Sequence, residues 1–200
     1  MKFPVVTVMT LAALALTFSP AHAGAVGQVN FFLGQKSLDS SVPDAVQDQL
    51  EFGAVMSFGQ SDWPVYIAAD VLTSVDEETV AAFGGNVTLT AVTFEFDSGV
   101  RKIWKAGKGG KVLPYVGGGI GIIGAALELD NGFVSVDADD AALGLWADTG
   151  VFFRLGSHFN IGVDLRYSTA DVDLDFGSGI VLQDVNAGGF SYGMLLGFGW

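Results

Sequence analysis

Nine ionisable residues recur at positions that alternate with apolar ones: Glu51, Asp70, Glu95, Asp97, Arg101, Asp148, Arg154, Asp164 and Arg166. Lys36 is a further candidate for the same set. Acids and bases dispersed in this way do chemistry only if the fold brings them together. Converging in an interior, they form buried pairs that fill and neutralise it, or they line a polar gate. Removing one partner of a buried pair leaves an uncompensated charge and costs about 3–5 kcal/mol. Replacement of Arg101 or Arg154 by alanine is therefore expected to lower stability.

A second set of carboxylates is grouped in four polar stretches. Asp39, Asp44 and Asp48 lie in the first, and Asp76, Glu77 and Glu78 in the second. The third holds Glu128, Asp130, Asp137, Asp139 and Asp140, and the fourth Asp171, Asp173, Asp175 and Asp184. These are fifteen of the 22 acids, and no Lys or Arg shares the stretches with them. Carboxylate oxygens suit divalent cations. Asp171, Asp173 and Asp175 would share one strand face, but no recognised calcium loop matches, so the set reads as a solvated acidic rim and no metal ligand is assigned. Lys102, Lys105, Lys108 and Lys111 cluster instead around one short turn. Covalent or general-base chemistry finds little support. The chain lacks Cys, and beyond the N-terminal leader its one His is His158, in another short turn. No catalytic residue, cofactor or enzymatic activity is expected.

Strands must position these groups. Eight segments alternate with period two or have β-rich composition: roughly 26–36, 49–59, 64–75, 87–103, 112–127, 142–155, 160–171 and 189–200. Successive side chains of a strand point to opposite faces. One face collects residues such as Phe31, Phe52, Ile67, Phe96, Val163 and Leu196. The other collects the ionisable set, glycines, and a few large groups such as Phe32, Leu72, Trp146 and Phe152. The fifth segment, Val116-Gly117-Gly118-Gly119-Ile120-Gly121-Ile122, is ambiguous, and Val116, Ile120 and Ile122 are placed on the apolar face. Short connections near 60–63, 106–110 and 156–159 alternate with long polar ones near 37–48, 76–86, 128–141 and 172–188. This is the pattern of an eight-stranded antiparallel up-and-down transmembrane β-barrel, apolar outside and charged inside. A sandwich has the same period with its apolar faces turned inward.

The beginning of the chain reads as a secretory signal peptide: Lys2, an apolar run from about Val5 to Phe18, then Ala21-His22-Ala23. Cleavage after Ala23 leaves residues 24–200 as one barrel domain. Losing Lys2 takes the formal charge from −13 to −14. This charge counts against nucleic acid as a partner and against simple electrostatic docking on anionic lipid.

The final segment, Phe190 to Trp200, puts Phe190, Tyr192, Met194, Leu196, Phe198 and Trp200 on one face. Together with the leader and the eight segments, it resembles the small outer-membrane β-barrels of Gram-negative bacteria, the OmpA-like, OmpX and opacity-type group. Leu113-Pro114-Tyr115-Val116-Gly117-Gly118-Gly119-Ile120-Gly121 resembles the group's Pro-Tyr-x-Gly-rich strand, and Asp164-Leu165-Arg166-Tyr167 its penultimate strand. Ser191, Gly193, Leu196 and Phe198, with Trp200 as terminal aromatic, resemble the signal read by the barrel assembly machinery; Phe is the commoner last residue. The resemblance implies a monomer in the outer membrane with both mature termini in the periplasm, among outer-membrane lipid and lipopolysaccharide. It implies a structural or surface-interaction role displaying acidic extracellular loops. The alternative expectation is a narrow porin-like channel, or a conduit for small apolar molecules.

Overall fold

The computed structural model describes residues 24–38, 46–82, 85–131, 135–176 and 181–200. The signal-peptide reading falls on residues 1–23 and so lies outside the described residues, as do Asp39 and Asp44. Among the described residues ten strands form: β1 (Ala25–Leu38), β2 (Asp48–Gln60), β3 (Tyr66–Ala82), β4 (Gly85–Ile103), β5 (Val112–Asp130), β6 (Ser135–Leu155), β7 (Phe159–Thr169), β8 (Asp171–Asp175), β9 (Val181–Asn186) and β10 (Gly189–Gly199). Eight of them close a barrel in the order β1-β10-β7-β6-β5-β4-β3-β2, every neighbour antiparallel. β8 and β9 pair only with each other, as a hairpin inserted between β7 and β10. The ring is sealed by β1 and β10, in register from Gln28↔Gly199 to Leu38↔Gly189.

Both faces of the wall follow from the alternation. Phe31, Leu33, Val100, Ile120, Leu145, Met194 and Phe198 are exposed on the outside, while Glu51, Asp70, Arg101, Asp148 and Arg166 are buried inside. Water would penalise the first group and an empty interior the second. A hydrocarbon surround with a closed ring satisfies both, because every backbone group is paired around the barrel. A soluble barrel or sandwich has the opposite polarity and is excluded. Phe58 and Trp200 lie 6.3 Å apart at one rim, and Phe190 and Tyr192 6.4 Å apart toward the other.

The two ends differ. One, the turn end, carries the short connections 61–65, 104–111 and 156–158. At the other, the hairpin end, strands run further than the sequence pattern indicates. β3 and β4 pair up to Ala82↔Gly85, and β5 and β6 up to Asp130↔Ser135. The stretches read as loops 76–86 and 128–141 are therefore largely ladder, and the stretch 172–188 contains β8 and β9. Val80, Val87 and the cross-strand pair Thr79–Thr88 (Oγ1 to Oγ1 3.3 Å) suit a pleated surface. Beyond the membrane, however, the outward positions must be polar. Along β5 the lower outward residues are Val116, Ile120 and Ile122. In its upper part the inward residues Ile123, Ala125 and Leu127 are buried, and Glu128 and Asp130 are exposed. The strand inverts its polarity without changing its register.

Candidate functional site

The inner wall is layered. Read down β4 from the hairpin end, Leu89 and Ala91 are followed by Thr93 and Glu95, then Asp97 and Arg101, then Ile103. Ala170, just beyond β7, is followed along that strand by Ser168, Arg166, Asp164 and Asn160 in the same direction.

The middle layer holds two arginines among four aspartates. Arg101 donates from Nε to Asp148 Oδ2 at 3.0 Å and from Nη2 to Asp70 Oδ2 at 2.7 Å. Its Nη2 also bonds Asp148, and its Nη1 donates to Ser57 Oγ at 2.9 Å and to the Met56 carbonyl at 3.1 Å. Arg166 donates from Nη1 to Asp97 and from Nη2 to Asp70. It also lies 3.5 Å from Asp148 and 4.0 Å from Asp164. Tyr115 donates its hydroxyl proton to Asp164. Trp146 lies between the guanidiniums, 5.7 Å from that of Arg101 and 4.9 Å from that of Arg166. Charged hydrogen bonds and ring faces together replace the water these groups lose on burial.

Lys36 makes a second, separate pair one layer nearer the hairpin end. Its ammonium donates to Glu95 Oε1 at 2.5 Å, Thr93 Oγ1 at 3.2 Å and the Ala187 carbonyl at 3.2 Å. Ser168 adds a 2.6 Å bond to the same Glu95 oxygen. Glu51 is buried at this level with neither carboxylate oxygen in a hydrogen bond among the described residues.

The nine candidate residues are thus not one network. Asp70, Asp97, Arg101, Asp148, Asp164 and Arg166 come together; Glu95 pairs with Lys36 instead. Arg154 stands apart, which corrects its place in the set. It is half-buried near the turn end, its Nε donates to Asn160 Oδ1 at 3.4 Å, and it forms no ion pair among the described residues. Near the end of β6 it can turn toward the polar base of the lumen, where Asn160, Gln28 and Asn30 already gather. Sequence reasoning missed Tyr115, Ser57 and Ser168. Their signal was the inward parity they share with the charges. It also left the glycines of β5 ambiguous, and these make room for the acids: a Cβ on Gly117 would overlap Asp148, and one on Gly121 would overlap Asp97.

Two apolar clusters accompany the charged ones. Phe32, Val55, Leu72, Leu113, Phe152 and Leu195 pack around Tyr115, from the turn end up beside the arginine–aspartate cluster, and the Tyr115 ring stacks on Phe152 at 4.6 Å. At the hairpin end Val172, Leu174 and Val185 of the β8–β9 hairpin seat against Leu38, Leu89, Ile123, Leu127 and Ala138. The apolar cavity beneath, about 10 Å³, is no larger than a single water molecule would fill. Asp173 N donates to Asp140 Oδ2 at 2.9 Å and Asp184 N to Asp173 Oδ1 at 3.0 Å, so the β8 acids serve the hairpin itself. Among the described residues no three acidic or histidine side chains are placed to hold a metal ion. His158 is exposed in the β6–β7 turn, its Nδ1 2.8 Å from Ser157 Oγ.

Outside the hairpin end the projecting sheet carries a row of acids. Glu77 pairs with Thr90, Thr90 with Glu128, and Glu128 with Asp137. Glu128 and Asp137 stand directly opposite one another, and such like-charge pairs destabilise a ladder.

Two solved structures of Ail, the attachment invasion locus protein of Yersinia pestis, share this architecture. Their TM-scores are 0.59 and 0.54, at 13% and 12% identity, and each match covers 89% of this chain and 100% of that one. The fold is that of a small outer-membrane β-barrel protein. The Ail structure with the higher score is a complex with the heparin analogue sucrose octasulfate. Neisserial surface protein A aligns over 87% of this chain and 97% of its own length, at 17% identity and TM-score 0.47. No protein-family model and no curated protein matches the sequence.

Proposed function

We propose that this barrel works at the cell surface by contact, presenting an acidic sheet and hairpin to a positively charged partner, with no catalytic role. The observation that carries this reading is a division of labour along the barrel axis. Packed and ion-paired side chains fill the lumen at successive levels. The outward face beyond the apolar band collects Glu77, Glu128, Asp130, Asp137 and Asp139, with Glu128 and Asp137 directly opposite one another, a like-charge pair that costs stability. The filled lumen counts against the alternative of a channel or apolar conduit. The ion clusters then have a structural role.

In this reading the leader is removed after Ala23, both mature termini lie in the periplasm, and the hairpin end faces outward among lipopolysaccharide. The strands and the β8–β9 hairpin that run on beyond the apolar band at the hairpin end, against the short turns at the other, support that orientation. β10, with Ser191, Gly193, Leu196, Phe198 and Trp200, is the assembly signal, and it also closes the seam: Trp200 and Gly27 exchange backbone hydrogen bonds of 3.0 and 3.2 Å.

Ail is seen with a polyanion; the opposite sign at this hairpin end calls for a polycation. The test is binding to the barrel in lipid nanodiscs. An oligolysine peptide should bind in a salt-sensitive way, weaken when Glu77, Glu128 and Asp137 become glutamine or asparagine, and far outcompete sucrose octasulfate. Equal or stronger binding of the polyanion would refute the proposal.

A further inference from the structure

Eight cations follow Ala23, and they are unevenly placed. Lys36, Arg101 and Arg166 are engaged by interior carboxylates, and Arg154 faces Asn160. The remaining four, Lys102, Lys105, Lys108 and Lys111, fall within ten residues at the turn end.

Their setting is specific. The lipid-facing column of β4 runs Phe96, Ser98, Val100 and then Lys102, followed by Trp104. Lys102 Nζ donates to the Pro64 carbonyl, which ties this edge to the β2–β3 turn and its Trp63. Trp63 and Trp104 are 41% and 45% exposed, and Lys105 and Lys111 are exposed beside them. The stretch is held compact. Ala106 and Val112 exchange backbone hydrogen bonds of 2.8 and 3.3 Å, and Gly107, Gly109 and Gly110 take left-handed φ values of 73°, 76° and 62°. Asp62 is the one carboxylate among the short turns.

Tryptophan and lysine at the edge of an apolar band mark headgroup depth. We propose that Lys102, Lys105 and Lys111, with Trp63 and Trp104, form a binding collar for the phosphates of anionic phospholipid, of phosphatidylglycerol type, in the leaflet that meets the turn end. The overall charge argues otherwise only as a sum. The acids gather at the far end, on the order of 25–30 Å away across a membrane band, whereas charges are screened within about 8 Å at physiological salt. The exposed tryptophans favour a lipid surface over a soluble polyanion.

The test uses the refolded barrel in phosphatidylcholine bilayers doped with brominated phosphatidylglycerol or brominated phosphatidylcholine, reading quenching of tryptophan fluorescence. The wild type should prefer the brominated phosphatidylglycerol by about fivefold, the effect of one lysine near an anionic surface, and the preference should fall toward unity in high salt. Replacing all four lysines by glutamine should abolish it while heat-modifiable gel mobility shows the barrel still folded. No preference in the wild type, or an undiminished one in the folded variant, would overturn the proposal. So would displacement of the lipid by soluble polyglutamate, which would point to a polyanion partner. If the variant fails to fold, the salt response of the wild type decides: a preference that salt leaves unchanged rejects the collar.

Discussion

Arg166 on β7 and Asp70 on β3 are 96 residues apart in sequence and sit on opposite sides of the eight-stranded ring, yet they hydrogen-bond to one another through the lumen. The bond is a cross-strut, and Arg101 meets it at the same Asp70 oxygen. Replacing Arg101 or Arg166 by alanine should therefore lower unfolding free energy by about 3–5 kcal/mol, since several buried aspartates lose their partner. Urea unfolding in detergent or bilayers checks this. Wild-type resistance in both variants would show that the cluster does not bear on stability.

Arg154 should behave differently. It keeps one long hydrogen bond to Asn160 and no ion pair among the described residues, so Arg154→Ala should cost about 1 kcal/mol. A loss equal to that of Arg101→Ala in the same denaturation series would mean that Arg154 joins the charge cluster in the membrane.

Gly117 and Gly121 are the spaces into which Asp148 and Asp97 fit. Gly117→Val should push the Asp148 carboxylate off Arg101 and cost about 1–3 kcal/mol as overpacking. Gly109→Ala, where a Cβ meets nothing within 4 Å, serves as a comparison, its cost coming from the left-handed φ of 76° alone. Equal unfolding midpoints for wild type and Gly117→Val would refute the space-filling account.

Leu174, fully buried under the hairpin, tests whether the hairpin end has a core of its own. Leu174→Asp should undock β8–β9 and open a protease site between 171 and 186, leaving the ladder below intact. Planar-bilayer recordings of that variant should still show no steady conductance, because the charged layers and the Phe32–Phe152 layer remain in place. A stepwise current would refute the closed lumen.

The ring, its strand number and the inward parity of the charges were readable because each rests on the two-residue period, which Phe94, Phe96, Glu95 and Asp97 display without ambiguity. Pairing was not readable. Whether Glu95 turns to Arg101 or to Lys36 depends on strand tilt, and tilt leaves no mark in a single strand's sequence. In the sequence the long hairpins look like loops, because Glu128, Asp130 and Asp137 are residue types common in loops. They stand where a strand has left the lipid and its outer positions must meet water. β8 was hidden for a related reason: Asp171, Asp173 and Asp175 drew attention to one face, while Val172 and Leu174 on the other face decide where the segment folds.

The polarity inversion along β5 also works as a waterline. Phe94 pairs with Gly124, Ile122 with Leu143 and Ile123 with Ala142, so the change of sign falls at one height on three adjacent strands. Sinking by one side-chain repeat, about 7 Å along a strand, would draw Glu128 and Asp137 toward hydrocarbon. Rising by the same step would strand Phe94, Ile122 and Leu143 in water. Either displacement is opposed from both sides, so the chain carries its own draught mark, and the depth at which the barrel floats is written into the same residues that build its wall.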